Sequence, residues 1–501
     1  MLKEKNSNKR QAGEKNINLA DAISFFRFLN QKNQKIELIT ISILYAILFF
    51  IIKYGYPYLQ ITPDSGSYIL SAKTMTINGY RPIGYSWFLD FFHSLSNDIG
   101  FIFIGHFILN AFAQILFLFG VKYIFKLRSV YFYLLALPFI LSPSILFSTN
   151  LIMSDSIFNS LTLLYLFSAM MILKKPKIGY IIGNLIVLYL IINVRYSAIY
   201  YPVLTSLILI FKLNKNRKYV IVSIMPLFLL LKMYVDTKAE TKKTYKLDSF
   251  SGFSGWAMAN NAVSILPYID LNPDDIEDLD NKIIHTIVTS FPDSMYTHEN
   301  INKTGFMWFK NFSGKRVLSY YMQKKKYSYV KAWIYTGSKF KDYGKFLISE
   351  YPFEYLKYYL YPNFKQLFYN YRIPRQRNFK VDDLIKEYYD YDINTVEYES
   401  NSSFLHKFNG IRDVTSILLW IILIFSLTYL FIKQKSINAF QKPQMAFLII
   451  FFLCYCGLSV IAHPINNFRY LIPIYSIQLL IPILAVNHFM INKKTKKNVS
   501  I

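Results

Sequence analysis

Nine side chains in this sequence have the types that acid–base work on a phosphate-linked substrate requires. Asp64, Tyr68, Arg81 and Tyr85 lie between the first two apolar runs, Asp155, Arg195 and Tyr196 at the ends of later ones, and His463 and Arg469 just before the last. A carboxylate can take the proton of an acceptor hydroxyl. Arginine forks bind phosphate oxygens two at a time and offset the charge that builds on a leaving phosphate. In "ITPDSGSYILSAK", residues 61–73, Thr62 suits a helix N-cap and Pro63 the first helical position. Asp64 then falls in the first turn, where the helix dipole favours a carboxylate, and Gly79 closes the helix. Asp64, Tyr68 and Ser71, three and four residues apart, share one face. Two readings of Asp64 stand at this point: a helix start, or a base.

The elements that position these groups are membrane helices. The chain has 501 residues, 53% hydrophobic and 18% aromatic, and several of its apolar runs reach the about 20 residues that a bilayer crossing needs. The reading is an all-α polytopic membrane protein with about ten transmembrane helices, at 36–54, 99–120, 129–147, 151–173, 178–194, 196–212, 219–235, 413–433, 444–462 and 470–491. Basic clusters then fall at alternate ends: in the tail 1–35, at Lys122, Lys126 and Arg128, in "KKPK", "KLNKNRK" and "KQKSINAFQK", and in the closing tail 492–501. All land on one side, so both termini are expected in the cytoplasm. The first apolar run, at 36–54, is of full spanning length, so no cleavable signal peptide is expected. The net charge of +26 belongs to this pattern, and no nucleic-acid partner is read from it.

The organisation that follows is an N-terminal transmembrane module 36–235 with a first outer loop 55–98, a mostly helical extracytoplasmic segment 236–412, and C-terminal transmembrane helices 413–491. In the first outer loop a second helix, "SWFLDFFHSL", sets Trp87, Phe88, Phe91, Phe92 and Leu95 on one stripe opposite Asp90 and His93. That pattern suits either a helix lying in the lipid interface or a lid packed on the bundle. "SGFSGWAMANN", residues 251–261, reads as a tight Gly/Ser turn entering a helix that either packs on the bundle or lines a site.

Several chemistries find no pattern here. Ser–His–Asp ordering, HExxH, a Walker loop and GxGxxG are all missing from the sequence. His93, His106 and His463 are too scattered to argue a metal site, although an assisting divalent cation is left open. Cys454 and Cys456, at i and i+2 on a helix, point in different directions and make no disulfide framework. A nucleotide has no supply outside the cytoplasm, so an activated group at the outer face has to arrive on a lipid. Moving a sugar from a polyprenyl phosphate needs one base and several cations, and direct displacement by one carboxylate inverts the anomeric centre.

At these residues the chain resembles the GT-C superfamily of polytopic glycosyltransferases. It is most similar to glycosyltransferase family 39, which holds the protein O-mannosyltransferases, and to the related lipid A aminoarabinose transferases. The features that carry the likeness are "TPDSGSYILSAK" followed by "GYRPIGYSWFL", then "MSDSIF", "RYSAIYYP" and "FRYLIPIY". The resemblance implies a GT-C-like fold in a bacterial cytoplasmic membrane and a polyprenyl-phosphate sugar donor. The acceptor is a glycan, a lipid or a protein, and Asp64 is the catalytic acid of the first outer loop. Substrate-binding roles then fall to Tyr68, Arg81, Tyr85, Asp155, Arg195, Tyr196, His463 and Arg469. The chain departs from the family in having Asp155 where Glu is commoner, and Ser65 where many members complete an Asp-Glu pair. Two other readings are kept. An O-antigen-type polymerase or ligase would work through Arg372, Arg375 and Arg377 of "YRIPRQRNF", and a flippase or transporter would move a lipid-linked glycan without chemistry.

Overall fold

Apolar runs of this length can satisfy their backbone groups in lipid only by closing into helices. The computed structural model describes residues 24–499 apart from 78, 80, 214–219, 301–306, 310, 370–377, 392, 398–404, 406, 408, 439, 440, 466 and 467. A short α1 (Phe25–Leu29) leads into α2 (Lys32–Gly55), and the first loop then forms α3 (Ser65–Thr74) and α4 (Gly84–Leu95). The bundle continues with α5 (Gly100–Phe125), α6 (Ser129–Ile140), α7 (Pro143–Thr149), α8 (Asp155–Lys174) and α9 (Ile178–Val194). Next come α10 (Tyr201–Leu213) and α11 (Val220–Tyr245). The long segment contains α12 (Gly252–Ala262), α13 (Leu279–Thr289), α14 (Ser313–Lys325), α15 (Tyr329–Glu350), a continuous helical stretch α16 over 352–366, and α17 (Asp383–Tyr389). Helices α18 (Asn409–Ile432), α19 (Lys442–Ala462) and α20 (Ile472–Val499) follow. Phe379–Lys380 and Thr395–Val396 pair antiparallel as a minimal two-stranded ribbon.

Helices stand at all ten expected places, and six or seven of them are crossings by length and apolarity among the described residues. Six are long and apolar enough among the described residues: α2, α5, α8, Tyr196–Leu213, α19 and Arg469–Ile491. A seventh arises if α6 and α7, which meet at 47°, form one span. The expected straight run 129–147 breaks there because Pro143 opens α7 and cannot donate into the preceding helix. Helix α9 has 17 residues and rises only about 26 Å, short of the ~30 Å hydrocarbon core. Helix α11 carries Lys232, Asp236 and Lys238 through its middle.

Helix α8 is the axis of the bundle, with 89% of its apolar window buried, and it touches α5, α9, α10, α19 and α20. Helix α2, by contrast, keeps an open stripe of Ile39, Ile43 and Ile47, an i, i+4 pattern facing where lipid lies. Two details revise the reading of the basic tail and its connections. Phe25 is buried against Tyr123 and Phe167, so the last residues before α2 dock on the bundle. Lys122 is not a loop charge: it sits inside α5, buried, and pairs with buried Glu37, which also accepts from Ser129 Oγ at 2.7 Å.

The 236–412 segment, expected as one unit, divides. Residues of α12 to α16 build a core of their own around Trp256, which stacks on Trp333 at 4.1 Å and donates Nε1–H to its carbonyl at 3.1 Å. Val381, Ile385, Tyr388, Tyr389 and Val396 join the bundle's core instead. The Gly/Ser turn of 251–261 turns out to be packing: α12 crosses α15 with Gly255 against Gly337, so close that a Cβ on Gly255 would lie 1.6 Å from the Gly337 carbonyl oxygen. Gly255→Ala is therefore expected to destabilise the protein by about 1–3 kcal/mol as an overpacking change. Gly183→Ala on α9, with nothing within 4 Å of the added methyl, should gain up to about 1 kcal/mol from helix propensity. Melting of the detergent-solubilised variants checks both, and equal melting temperatures would contradict the close crossing.

Candidate active site

The polar groups meet at the loop end of the bundle because the first loop is laced to the α7–α8 turn. Gln60 N–H donates to the Asn150 carbonyl at 2.8 Å, Ile152 N–H returns to Gln60 O at 3.2 Å, and Asn150 Nδ2 reaches Tyr58 O at 3.1 Å. Ser65 is the second lace. Its buried hydroxyl donates to the Ile152 carbonyl at 2.9 Å and accepts the Thr62 N–H at 2.9 Å. This corrects the expected helix start: α3 begins at Ser65 rather than near Pro63, with Asp64 in the N-cap position and no side-chain cap bond. The helix also ends earlier than expected, at Met75 in the left-handed region (φ 51°), while Gly79 (φ +75°) turns the chain further on.

Freed from capping, the Asp64 carboxylate faces Arg81, whose Nη2 donates to Oδ1 at 2.5 Å. Burial pushes the Asp64 carboxyl up, but the charge and hydrogen bond of Arg81 outweigh it, with help from Arg469 and Arg195. The group therefore titrates below its ordinary value and stays a carboxylate. The Arg81 guanidinium lies over the Tyr68 ring at 4.8 Å. Tyr68 in turn contacts Ser154 Oγ at 3.2 Å through its hydroxyl and packs edge-on against Tyr85 at 4.8 Å. Tyr85 is fully buried and shares a 3.3 Å hydrogen bond with His106 Nε2, whose other ring nitrogen is held by the Thr149 carbonyl at 3.1 Å.

The second carboxylate is deeper. Asp155 opens α8, where the helix dipole favours it, and its side chain is 1% exposed. Arg195, the residue that ends α9, donates Nη1–H to Asp155 Oδ1 at 2.6 Å. Asp155 Oδ2 accepts no hydrogen bond among the described residues, and Arg469 Nε stands 3.9 Å from it. Arg469 also reaches Met153 Sδ. Three guanidinium groups against two carboxylates leave one surplus positive charge in a half-buried cluster, with each arginine about one-fifth exposed and Asp64 one-third exposed. Such a cluster favours an anion.

Of the nine expected residues, Asp64, Tyr68, Arg81, Tyr85, Asp155, Arg195 and Arg469 come together. His463 borders them: its ring lies tilted against Tyr470 at 3.9 Å, and burial with the nearby charge of Arg195 pushes its pKa down to about 4, leaving it neutral. Tyr196 does not join. It turns away and packs on Phe250 at 4.6 Å. Arg372, Arg375 and Arg377 lie outside the described residues. On α4 the apolar stripe divides: Phe91 and Leu95 are open, Phe88 and Phe92 pack towards α5 at His106 and Gly105, and Asp90 and His93 are covered. Tyr388 of α17 donates to Asp90 at 3.5 Å and stacks on His93 at 4.0 Å, and Glu387 pairs with Lys73 of α3 at 2.6 Å.

Sequence reasoning missed Ser65 as anchor, Ser154 under Tyr68, and Tyr455, which feels both Arg195 and Asp155 and donates to Tyr470 O at 3.2 Å. A serine one residue past an expected helix start was the available signal for the first. Among the described residues no group of three or more His, Cys, Asp or Glu is placed to hold a metal ion. Compared with protein-family models, curated proteins and solved structures, the chain matches none.

The two carboxylates differ in what they should cost. Arg195→Leu strands a buried charge and is expected to destabilise by about 3–5 kcal/mol, with partial recovery in the Arg195→Leu/Asp155→Leu double variant. Asp64→Asn, at a partly exposed pair, should shift stability by no more than about 1 kcal/mol. Thermal melts of the purified variants measure this, and an Arg195→Leu protein as stable as wild type would contradict the burial argument.

Proposed function

We propose that this multi-pass membrane protein is an inverting glycosyltransferase of the GT-C type. On this reading it moves a sugar from a polyprenyl-phosphate carrier to an acceptor at the outer face of a bacterial cytoplasmic membrane, with both termini cytoplasmic. The observation that supports it is the pairing of a partly exposed carboxylate, Asp64, with a half-buried cluster of three arginines carrying surplus positive charge, all at one end of an apolar bundle.

The chemistry asked of these groups is a single displacement. Asp64 takes the proton of an acceptor hydroxyl as its oxygen attacks the anomeric carbon. The bond from that carbon to the phosphate oxygen breaks, its electron pair stays on the phosphate, and polyprenyl phosphate leaves. Attack opposite the leaving group inverts the anomeric centre. Arg195 is already fixed by its hydrogen bond to Asp155 and Arg469 stands 3.9 Å from the other carboxylate oxygen, so both are at hand as donors to the phosphate as its charge grows. Arg81 has two partners available: Asp64 in the free enzyme and the donor phosphate when that arrives. Handing over to the phosphate releases the carboxylate from the charge that weakens it as a base, so donor binding switches the base on.

Two outcomes follow. Asp64→Asn should insert and fold yet abolish transfer. In cells lacking the gene, wild type should then restore the missing glycan residue in lipid-extract mass spectrometry, while the variant leaves a single-sugar polyprenyl phosphate to accumulate. Full complementation by Asp64→Asn removes the mechanism. The pH dependence has a definite sign: Arg81 lowers the Asp64 pKa, so Arg81→Gln raises it, and the acid limb of kcat/KM moves to higher pH. An unmoved acid limb would show that Arg81 does not govern the base.

A further inference from the structure

Helix α16 has two faces of different character. Tyr355, Tyr359, Asn363 and the following Leu367 recur every four residues and are buried. Opposite them Phe353 (79%), Leu356 (55%), Tyr361 (55%) and Phe364 (49%) are open, and the same side carries exposed Lys357 and Lys365. Large apolar residues in such a row do not stand in water without reason.

Its depth in the molecule is fixed. The buried Asn363 side chain donates to the carbonyls of Val460 at 2.6 Å and His463 at 2.9 Å, and its Oδ1 accepts the Ile465 N–H at 2.7 Å. These groups are the last turn and exit of α19, a helix long and apolar enough to span. Phe368, beyond the end of α16, packs on Trp420 of α18 at 4.9 Å, and Leu367 belongs to the bundle core while Tyr355 and Tyr359 belong to the core of the long segment. The helix therefore runs along the boundary between the two cores, at the level where a spanning helix leaves the hydrocarbon. Near the same end of α19, Leu458 and Ile461 are also open, 40% and 56% exposed. The exposed ammonium of each lysine rests over a tyrosine ring of the same helix, Lys357 over Tyr358 at 4.8 Å and Lys365 over Tyr361 at 4.3 Å.

We infer that α16 lies in the lipid interface on the side of the membrane that carries the Asp64 site. Phe353, Leu356, Tyr361 and Phe364 enter the acyl boundary, and Lys357 and Lys365 meet the phosphates of anionic phospholipids. The occupant of this face is the bilayer, and the inference does not depend on the reaction proposed above.

The test uses the full chain in nanodiscs of phosphatidylcholine and phosphatidylglycerol, with Cys454→Ala and Cys456→Ala. An environment-sensitive NBD label is placed at Phe353→Cys or, as a control on the long segment, at the exposed Leu279→Cys. Because position 353 faces outward, labelled protein should elute as wild type does. The expected result at 353 is blue-shifted emission, strong loss of signal with nitroxide-labelled lipid, and little loss with iodide. The reverse is expected at 279. Water-like emission quenched by iodide at 353 overturns the inference. Blue-shifted emission that nitroxide lipid leaves untouched also overturns it, because protein, such as a second copy of this chain, then covers the face. For the lysines, Lys357→Gln/Lys365→Gln is expected to weaken lipid quenching when phosphatidylglycerol is present and to leave it unchanged in phosphatidylcholine alone; no difference between the two lipid compositions removes the headgroup contact.

Discussion

The constraint on which the loop end of this molecule depends is one buried carboxylate. Asp155 sits at the start of the most enclosed helix of the bundle with almost no exposure. An ion there costs several kcal/mol unless it is paired. Arg195 meets it from the end of α9, and Arg469 approaches from the connection between α19 and α20. Three separate stretches of chain are thereby drawn to one point. The Gln60 bridge and the Ser65 hydroxyl bring a fourth, the first loop, so that Asp64 arrives beside a cluster assembled for another acid.

That arrangement divides labour between the carboxylates. The buried one orients Arg195, draws Arg469 to 3.9 Å, and remains short of a hydrogen bond at Oδ2. The open one has a single strong partner, Arg81, that a phosphate can compete for. A preorganised cationic wall next to a releasable base is what the proposed transfer needs. The helical stretch at the boundary of the two cores suits the same economy, because a lipid-borne donor is best met by a site whose rim already sits in lipid. Helix α17 adds a cover: its tyrosines and Glu387 tie the long segment back onto the two loop helices that carry Asp64 and Tyr85.

Much of this was legible in the chain. The alternation of basic clusters placed Asp64, Asp155, Arg195 and Arg469 at one membrane level, since charges left inside apolar runs are rare and the rest follow a sidedness rule. Their pairing was not legible, because partners 40 residues apart for Arg195 and 316 apart for Arg469 and Met153 leave no local periodicity. Tyr196 was misplaced for a local reason: the residue after Arg195 begins a 3-10 turn, and neighbouring side chains in such a turn diverge. The start of α3 was misread because Ser65 answers to Ile152, 87 residues away, rather than to its own helix. Hydropathy alone registers neither the 47° bend before Pro143 nor the short rise of α9, the two places where an expected crossing is not one straight, full-length helix.

The most direct test of the central claim follows the leaving group. Purified protein, reconstituted with a total membrane lipid extract containing polyprenyl-phosphate sugars and native acceptors, is assayed by mass spectrometry for free polyprenyl phosphate. The account predicts that it appears in step with a glycosylated acceptor. Unchanged carrier lipids in the presence of folded, lipid-embedded protein would contradict it.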